Sequence, residues 1–188
     1  LVEHFQFSSG PTAIEDFDSE KGIKFVSGKF QDVVIDELIF YSGAISLQTL
    51  SDTTDARQTL LSVLEWGKEN LGFTYKESSI RRWAYISALL FTTDYPLLKS
   101  LSGPLDRLAQ KTSSFTENVF GGLSYQPISV SVGHDPGARK HGIAPFTISY
   151  RVNTLPSENR YFTEAPLPTD LHIKILRELD EDVRSSRP

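Results

Sequence analysis

The sequence predicts an α+β protein: a single mixed or mainly antiparallel sheet of about six strands, with three principal helices packed on it. Three observations lead there. Two stretches, Leu123–Val132 and Pro145–Thr154, carry apolar residues at alternate positions only (Ile128, Val130, Val132; Phe146, Ile148, Tyr150, Val152), with polar residues between them. That is the pattern of antiparallel strands buried on one side. Three other stretches repeat their apolar residues every three or four positions, the spacing of one helix face. The order of elements is strands, helix, strand, helix, two strands, helix, so strands outnumber the crossovers a parallel sheet would need.

Taken in order, residues 1–12 read as an arm or edge strand, broken at Ser8-Ser9-Gly10-Pro11. Ile23–Phe30 alternates, with Gly28 placed as a bulge or turn. Val33–Tyr41 and Ala44–Thr49 are two strand-like runs separated by Ser42-Gly43, a two-residue hairpin. Asp52 to Asp55 supply cap chemistry and negative charge for a helix whose stripe is Ala56, Leu60, Val63, Leu64 and Gly67. Gly72 suits a left-handed C-terminal cap.

Trp83–Thr93 is apolar on both faces, so it reads as a strand covered on both sides and as the centre of the sheet. Ser87, its one polar interior position, reads as a satisfied core hydroxyl. Asp94 and Pro96 would then open a second helix, with the stripe Leu97, Leu101, Leu105, Leu108, Thr112, Phe115 and Val119. Proline in a helix interior costs about 3 kcal/mol, so Gly103-Pro104 should kink or break it, with Ser102 or Gly103 capping the longer piece. Gly121-Gly122 ends that piece. Leu155–Pro168 is a proline-marked connection containing Arg160-Tyr161-Phe162, read as a strap over the core or as a surface for a partner. The last helix starts at Thr169 or Asp170 and recurs at Leu171, Ile175, Leu179 and Val183, with Lys174 and Glu178 as an i,i+4 pair. Residues 184–188 form a polar tail. No linker interrupts the chain, so 1–188 reads as one globular domain.

Composition limits the function. Apolar content of 39% and charged content of 23% are those of a folded chain rather than a disordered one. A net charge of -5 disfavours a general nucleic-acid surface, which needs a basic excess. With no cysteine, thiolate metal sites, disulfides and cysteine nucleophiles are absent, as suits a cytoplasmic protein. No apolar run approaches the roughly 20 residues of a membrane helix. Methionine is missing even at position 1, which fits a trimmed start.

Residues 133–142, GHDPGARKHG, look most functional. His134, Asp135 and His141 are metal-ligand types. Arg139 and Lys140 among glycine amides suit a phosphate. The plainer reading, a polar hairpin loop, is preferred, because the spacing matches no metal, P-loop or dinucleotide motif. Arg81 and Arg82 before Trp83 could stack on the indole and hold an anion; a charged strand entrance explains them as well. Carboxylates at Asp16, Asp18, Glu20, Asp32, Asp36 and Glu37 could pair in space for acid–base work, but solvated turns explain most of them. His172 reads as a boundary residue of the last helix, and GxSxG is absent.

The function that survives is a protein–protein interaction or binding module, a non-catalytic subunit of a larger assembly, with a protein partner or a second copy of itself. The rival is an enzyme or small-ligand binder using residues 133–142 together with Arg81 or Arg151. No cofactor can be named for it.

Overall fold

In the computed structural model, residues 1–120, 124–134 and 143–186 are described. The chain divides into two compact units, Leu1–Trp83 and Ala84–Pro188. The single six-stranded sheet gives way to two antiparallel sheets, of three and four strands, one in each unit.

The first unit is a meander of β1 (Ile23–Phe30), β2 (Val33–Phe40) and β3 (Ile45–Thr49), followed by α1 (Thr53–Leu71). The Ser42-Gly43 hairpin forms as read: Tyr41 donates its N–H to the Ala44 carbonyl at 2.8 Å, and Phe40 pairs with Ile45. Asp52 caps α1 by accepting from the Thr54 and Asp55 amides at 2.7 and 2.9 Å. Gly72 ends it at φ 69°, in the left-handed region glycine tolerates. Leu1–Phe7 is not a strand. It turns on itself and sinks Phe5 and Phe7 into a core with Phe25, Ile35, Leu38 and Val63. Lys29 N–H to Phe5 O (2.8 Å), Ser8 N–H to Ser27 O (3.0 Å) and Val26 N–H to Ser9 O (3.0 Å) tie this arm along the outer edge of β1.

Gly28 is not the bulge. It pairs in register with Ile35, and the register shift lies in β2 between Ile35 and Glu37. Glycine stands there because a Cβ would come within 2.5 Å of the Phe7 ring and 2.9 Å of the Phe5 carbonyl oxygen. The arm can lie flat on the sheet only over a residue without a side chain.

The second unit contains β4 (Ser87–Thr92), α2 (Leu97–Leu101), α3 (Gly103–Phe120), β5 (Ser129–Val132), β6 (Phe146–Tyr150), β7 (Arg160–Ala165) and α4 (Thr169–Ser185), with strand order β4-β7-β6-β5. Four expectations are corrected here. β4, expected at the centre and covered on both faces, is an edge strand with one covered face. Its outward residues include Leu90, 59% exposed. The strap is instead β7, an interior strand in which Tyr161, Thr163 and Ala165 are buried. The N-cap position of α2 is Pro96 rather than Asp94, which pairs with Arg184, while Leu97 N–H at the start of α2 donates to the buried Tyr161 hydroxyl at 2.9 Å. Residues 184 and 185 belong to α4 rather than to a tail.

The break before Pro104 occurs as read. α2 stops at Leu101 and α3 restarts after Ser102, whose carbonyl accepts from Asp106 N–H at 2.9 Å. The side chains of Phe115 and Val119, and Gly121-Gly122, lie outside the described residues. β5 and β6 form the expected one-sided hairpin, with Val130 opposite Ile148. The core of this unit gathers Tyr95, Leu97, Leu98, Ile148, Tyr161 and Val183. Tyr161 stacks on Tyr150 at 5.4 Å and lies 5.3 Å from Phe91.

Two substitutions test this packing. Gly28→Ala should destabilise the protein by about 1–3 kcal/mol, because the backbone carbonyl of Phe5 cannot step aside cheaply. Asp52→Ala should remove about 1 kcal/mol of cap energy. Chemical unfolding that shows Gly28→Ala equal to wild type would mean the arm does not bear on the sheet.

Candidate functional site

Of the residues singled out in the sequence as a binding site, only Arg81, His134 and Arg151 are among the described residues. Asp135, Arg139, Lys140 and His141 lie outside the described residues. His134 and Arg151 are exposed in the second unit, and Arg81 is exposed in the first. The indole of Trp83 is stacked by Arg57, its guanidinium 4.9 Å from the ring centroid, rather than by Arg81. Among the described residues no three His, Asp or Glu side chains gather as a metal site. The acidic residues near the N-terminus serve turns. Asp16 accepts from the Ala13 and Thr12 amides at 2.8 and 2.9 Å, and those bonds hold its carboxyl below the usual range. Glu37 pairs with Lys24.

The arrangement with functional geometry lies elsewhere, along β4 and α4. The helix leaves β7 through Pro166-Leu167-Pro168 and runs back beside β4, fastened at both ends. At its start, His172 is fully buried. Its Nδ1 lies 2.8 Å from the Ser87 hydroxyl and its Nε2 3.0 Å from the Thr163 hydroxyl. One ring nitrogen donates and the other accepts, and each hydroxyl can do either, so both tautomers are satisfied. The Phe146 ring meets the imidazole edge-on at 5.1 Å. At the other end of α4, Arg184 donates to Asp94 at 2.5 Å and to Asp180 at 2.8 Å. Tyr95 donates its hydroxyl to Asp180 at 2.6 Å, and Arg184 covers the tyrosine ring at 5.0 Å. These bonds from Tyr95 and Arg184 lower the Asp180 carboxyl and hold the guanidinium protonated.

A serine hydroxyl 2.8 Å from an imidazole has the spacing of a nucleophile and its base. The pair cannot act as one. Ser87 is 4% exposed, His172 is 0% exposed, and the second ring nitrogen is taken by Thr163. Ser87 is therefore the core hydroxyl the sequence suggested. His172, read there as a boundary residue, is a core residue that links β4, β7 and α4.

Between the two fastenings lies a groove of about 600 Å³. One wall is the run Leu89–Asp94; the other is formed by Ile173, Leu176, Arg177 and Asp180, with Glu181 and Arg184 further along α4. The strand wall is a free edge: among the described residues β4 pairs only with β7. Thr93 N–H donates to Asn159 O at 3.2 Å, in the same register as the β4–β7 ladder. Ladder bonds alternate along an antiparallel pair. Ser87, Leu89 and Phe91 therefore bond to β7, while Ala88, Leu90 and Thr92 aim their N–H and C=O groups away from it, at the edge. The sequence could not show this site, because it depends on β4 being at the edge.

No family model matches the chain, and neither a curated protein nor a solved structure matches it. Among the described residues no helix is long and apolar enough to cross a membrane.

Burial holds the His172 pKa below its ordinary 6.5, partly opposed by a hydrogen bond with the Ser87 backbone. The folded state thus resists a proton that the unfolded chain accepts. Stability is fully present above about pH 6.5 and falls as pH drops from there toward the lowered folded value. Urea unfolding of wild type should show that decline, and His172→Gln, which keeps polar reach without titrating, should lose it. An identical slope in both proteins would remove His172 as its source.

Proposed function

We propose that the chain is a protein–protein interaction module, a non-catalytic subunit of a larger assembly, that takes an extended segment onto the free edge of β4 beside α4. One observation carries this reading: among the described residues no strand meets the outward main-chain donors and acceptors of Ala88, Leu90 and Thr92, which lie along a groove whose far wall is a helix. An added strand satisfies those groups, and pockets along the groove select its alternate side chains. The apolar wall of Leu89, Leu97, Ile173 and Leu176 suits apolar side chains from the incoming segment, and the rim of Asp94, Arg177, Glu181 and Arg184 stays in water.

The groove is also partly preorganised. The buried His172 link fixes the start of α4, and the exposed Asp94–Arg184 pair holds its end more loosely, so part of the site is already ordered before association. Nothing comparable supports chemistry at the described residues of the earlier candidate set, and the one serine–imidazole pair is sealed in the core.

Leu90→Pro tests the proposal. It removes an outward N–H without touching the ladder to β7, the setting in which an edge strand tolerates proline. Peptides selected from a random display library against the wild-type chain should be extended, with alternating apolar residues, and should lose binding to Leu90→Pro while its circular dichroism stays native. Peptides that bind Leu90→Pro as tightly as wild type would rule strand addition out.

A further inference from the structure

We infer that the segment filling this groove is β4 of a second copy of the same chain, so that the module pairs with itself through an antiparallel β4–β4 contact. This rests on the strand-addition reading above and commits it to one occupant.

The main chain is self-complementary. The outward residues are Ala88, Leu90 and Thr92, an odd set centred on Leu90. A two-fold axis through Leu90 sets Leu90 against Leu90 of the second copy and Ala88 against its Thr92. In antiparallel pairing, directly opposed residues of this kind exchange both N–H···O bonds. No other register pairs all three outward residues at once.

The side chains agree. Ser87 and Thr163 point to His172 on α4, so Leu90 stands on the opposite face, next to its β7 neighbour Phe162. Leu90 is largely exposed there, in a strand without a charge. The axis joins two Leu90 side chains, with Phe162 of each copy behind them, into one apolar stripe across the new sheet. Aromatic and aliphatic neighbours of this kind stabilise strand pairs.

The charges agree independently. α4 runs alongside β4 from His172, next to Ser87, to Arg184, next to Asp94. An axis through Leu90 therefore passes beside the helix, level with the stretch from Arg177 to Glu181. Both line the groove, and neither has an ion-pair partner among the described residues. Two copies of α4 related by that axis run antiparallel. Arg177 of each then reaches Glu181 of the other. An isologous interface requires this reciprocity, in which each residue of a pair meets the other twice.

The chain has no cysteine, so an introduced one is the sole thiol. Opposed residues of a hydrogen-bonded antiparallel pair have Cα atoms about 5.5 Å apart, within disulfide reach. Under mild oxidation Leu90→Cys should form a covalent dimer. Ala88→Cys alone and Thr92→Cys alone should form no covalent dimer, and an equimolar mixture of those two should cross-link. By sedimentation, wild type should be a dimer that Leu90→Pro turns into a monomer. Arg177→Glu should weaken it by roughly ten-fold, and adding Glu181→Arg should restore it.

A wild type that stays monomeric, with no Leu90→Cys dimer, overturns the second-copy inference. If library peptides then still bind in a Leu90-dependent way, strand addition itself stands; if none bind, both readings fall. A dimer indifferent to Leu90→Pro, or cysteine variants that cross-link regardless of position, also overturns the inference.

Discussion

The second unit depends on a buried imidazole. His172 sits where three elements meet, with one ring nitrogen on the β4 hydroxyl of Ser87 and the other on the β7 hydroxyl of Thr163. Buried polar groups are costly unless paired, and here every one is: among the described residues no buried side-chain nitrogen or oxygen lacks a partner. That economy also imposes specificity. A one-residue slip of β4 against β7 would carry Ser87 to the other face of the sheet and leave the ring nitrogen without its hydroxyl. An apolar residue in place of His172 could fill the same space without specifying that register.

From this constraint follows the contrast between the sheet edges. In the first unit, the arm lies along the outer edge of β1 and uses its main-chain groups, and Gly28 exists to let it lie close. In the second unit, β5 is only four residues long and carries serines between its valines. Short, polar or covered edges are the usual protection against unwanted pairing. β4 has none of these features: it reads Ser-Ala-Leu-Leu-Phe-Thr, without charge, proline or bulge. A strand that must hold Ser87 against His172 on one side, and keep an apolar neighbour for Phe162 on the other, is not free to become a charged edge.

Much of the scaffold was legible from the sequence because local chemistry decided it. The Asp52 cap, the Gly72 stop, the Ser42-Gly43 hairpin and the break before Pro104 each follow from a few neighbouring residues. Where the structure departs from that reading, tertiary placement decides rather than local pattern. Trp83–Thr93 has apolar residues on both faces, which in a soluble protein usually marks a central strand, yet the strand begins only at Ser87 and its outward face stays open. β7 was missed for the converse reason: its buried positions are Tyr161, Thr163 and Ala165, two of them polar or small, so its alternation is chemically faint. Thr163 is buried because it has His172 to bond, and a contact nine residues away in another element leaves no periodic trace. The groove was hidden by the same two errors, since its strand wall becomes an edge only once β7 is recognised as a strand.

The two fastenings of α4 also differ physically, and that difference matters for what the groove can do. The Ser87–His172–Thr163 link is buried, so neither salt nor the surface environment weakens it. The Asp94–Arg184–Asp180 cluster is exposed and screened, and isolated pairs of that kind contribute little to stability. The helix is therefore pinned firmly at its start and more loosely at its end, with Arg177 and Glu181 on the intervening length. A strand entering beside β4 would meet a wall fixed in position at one end and adjustable at the other. Such a site can accept a defined register without being a closed slot.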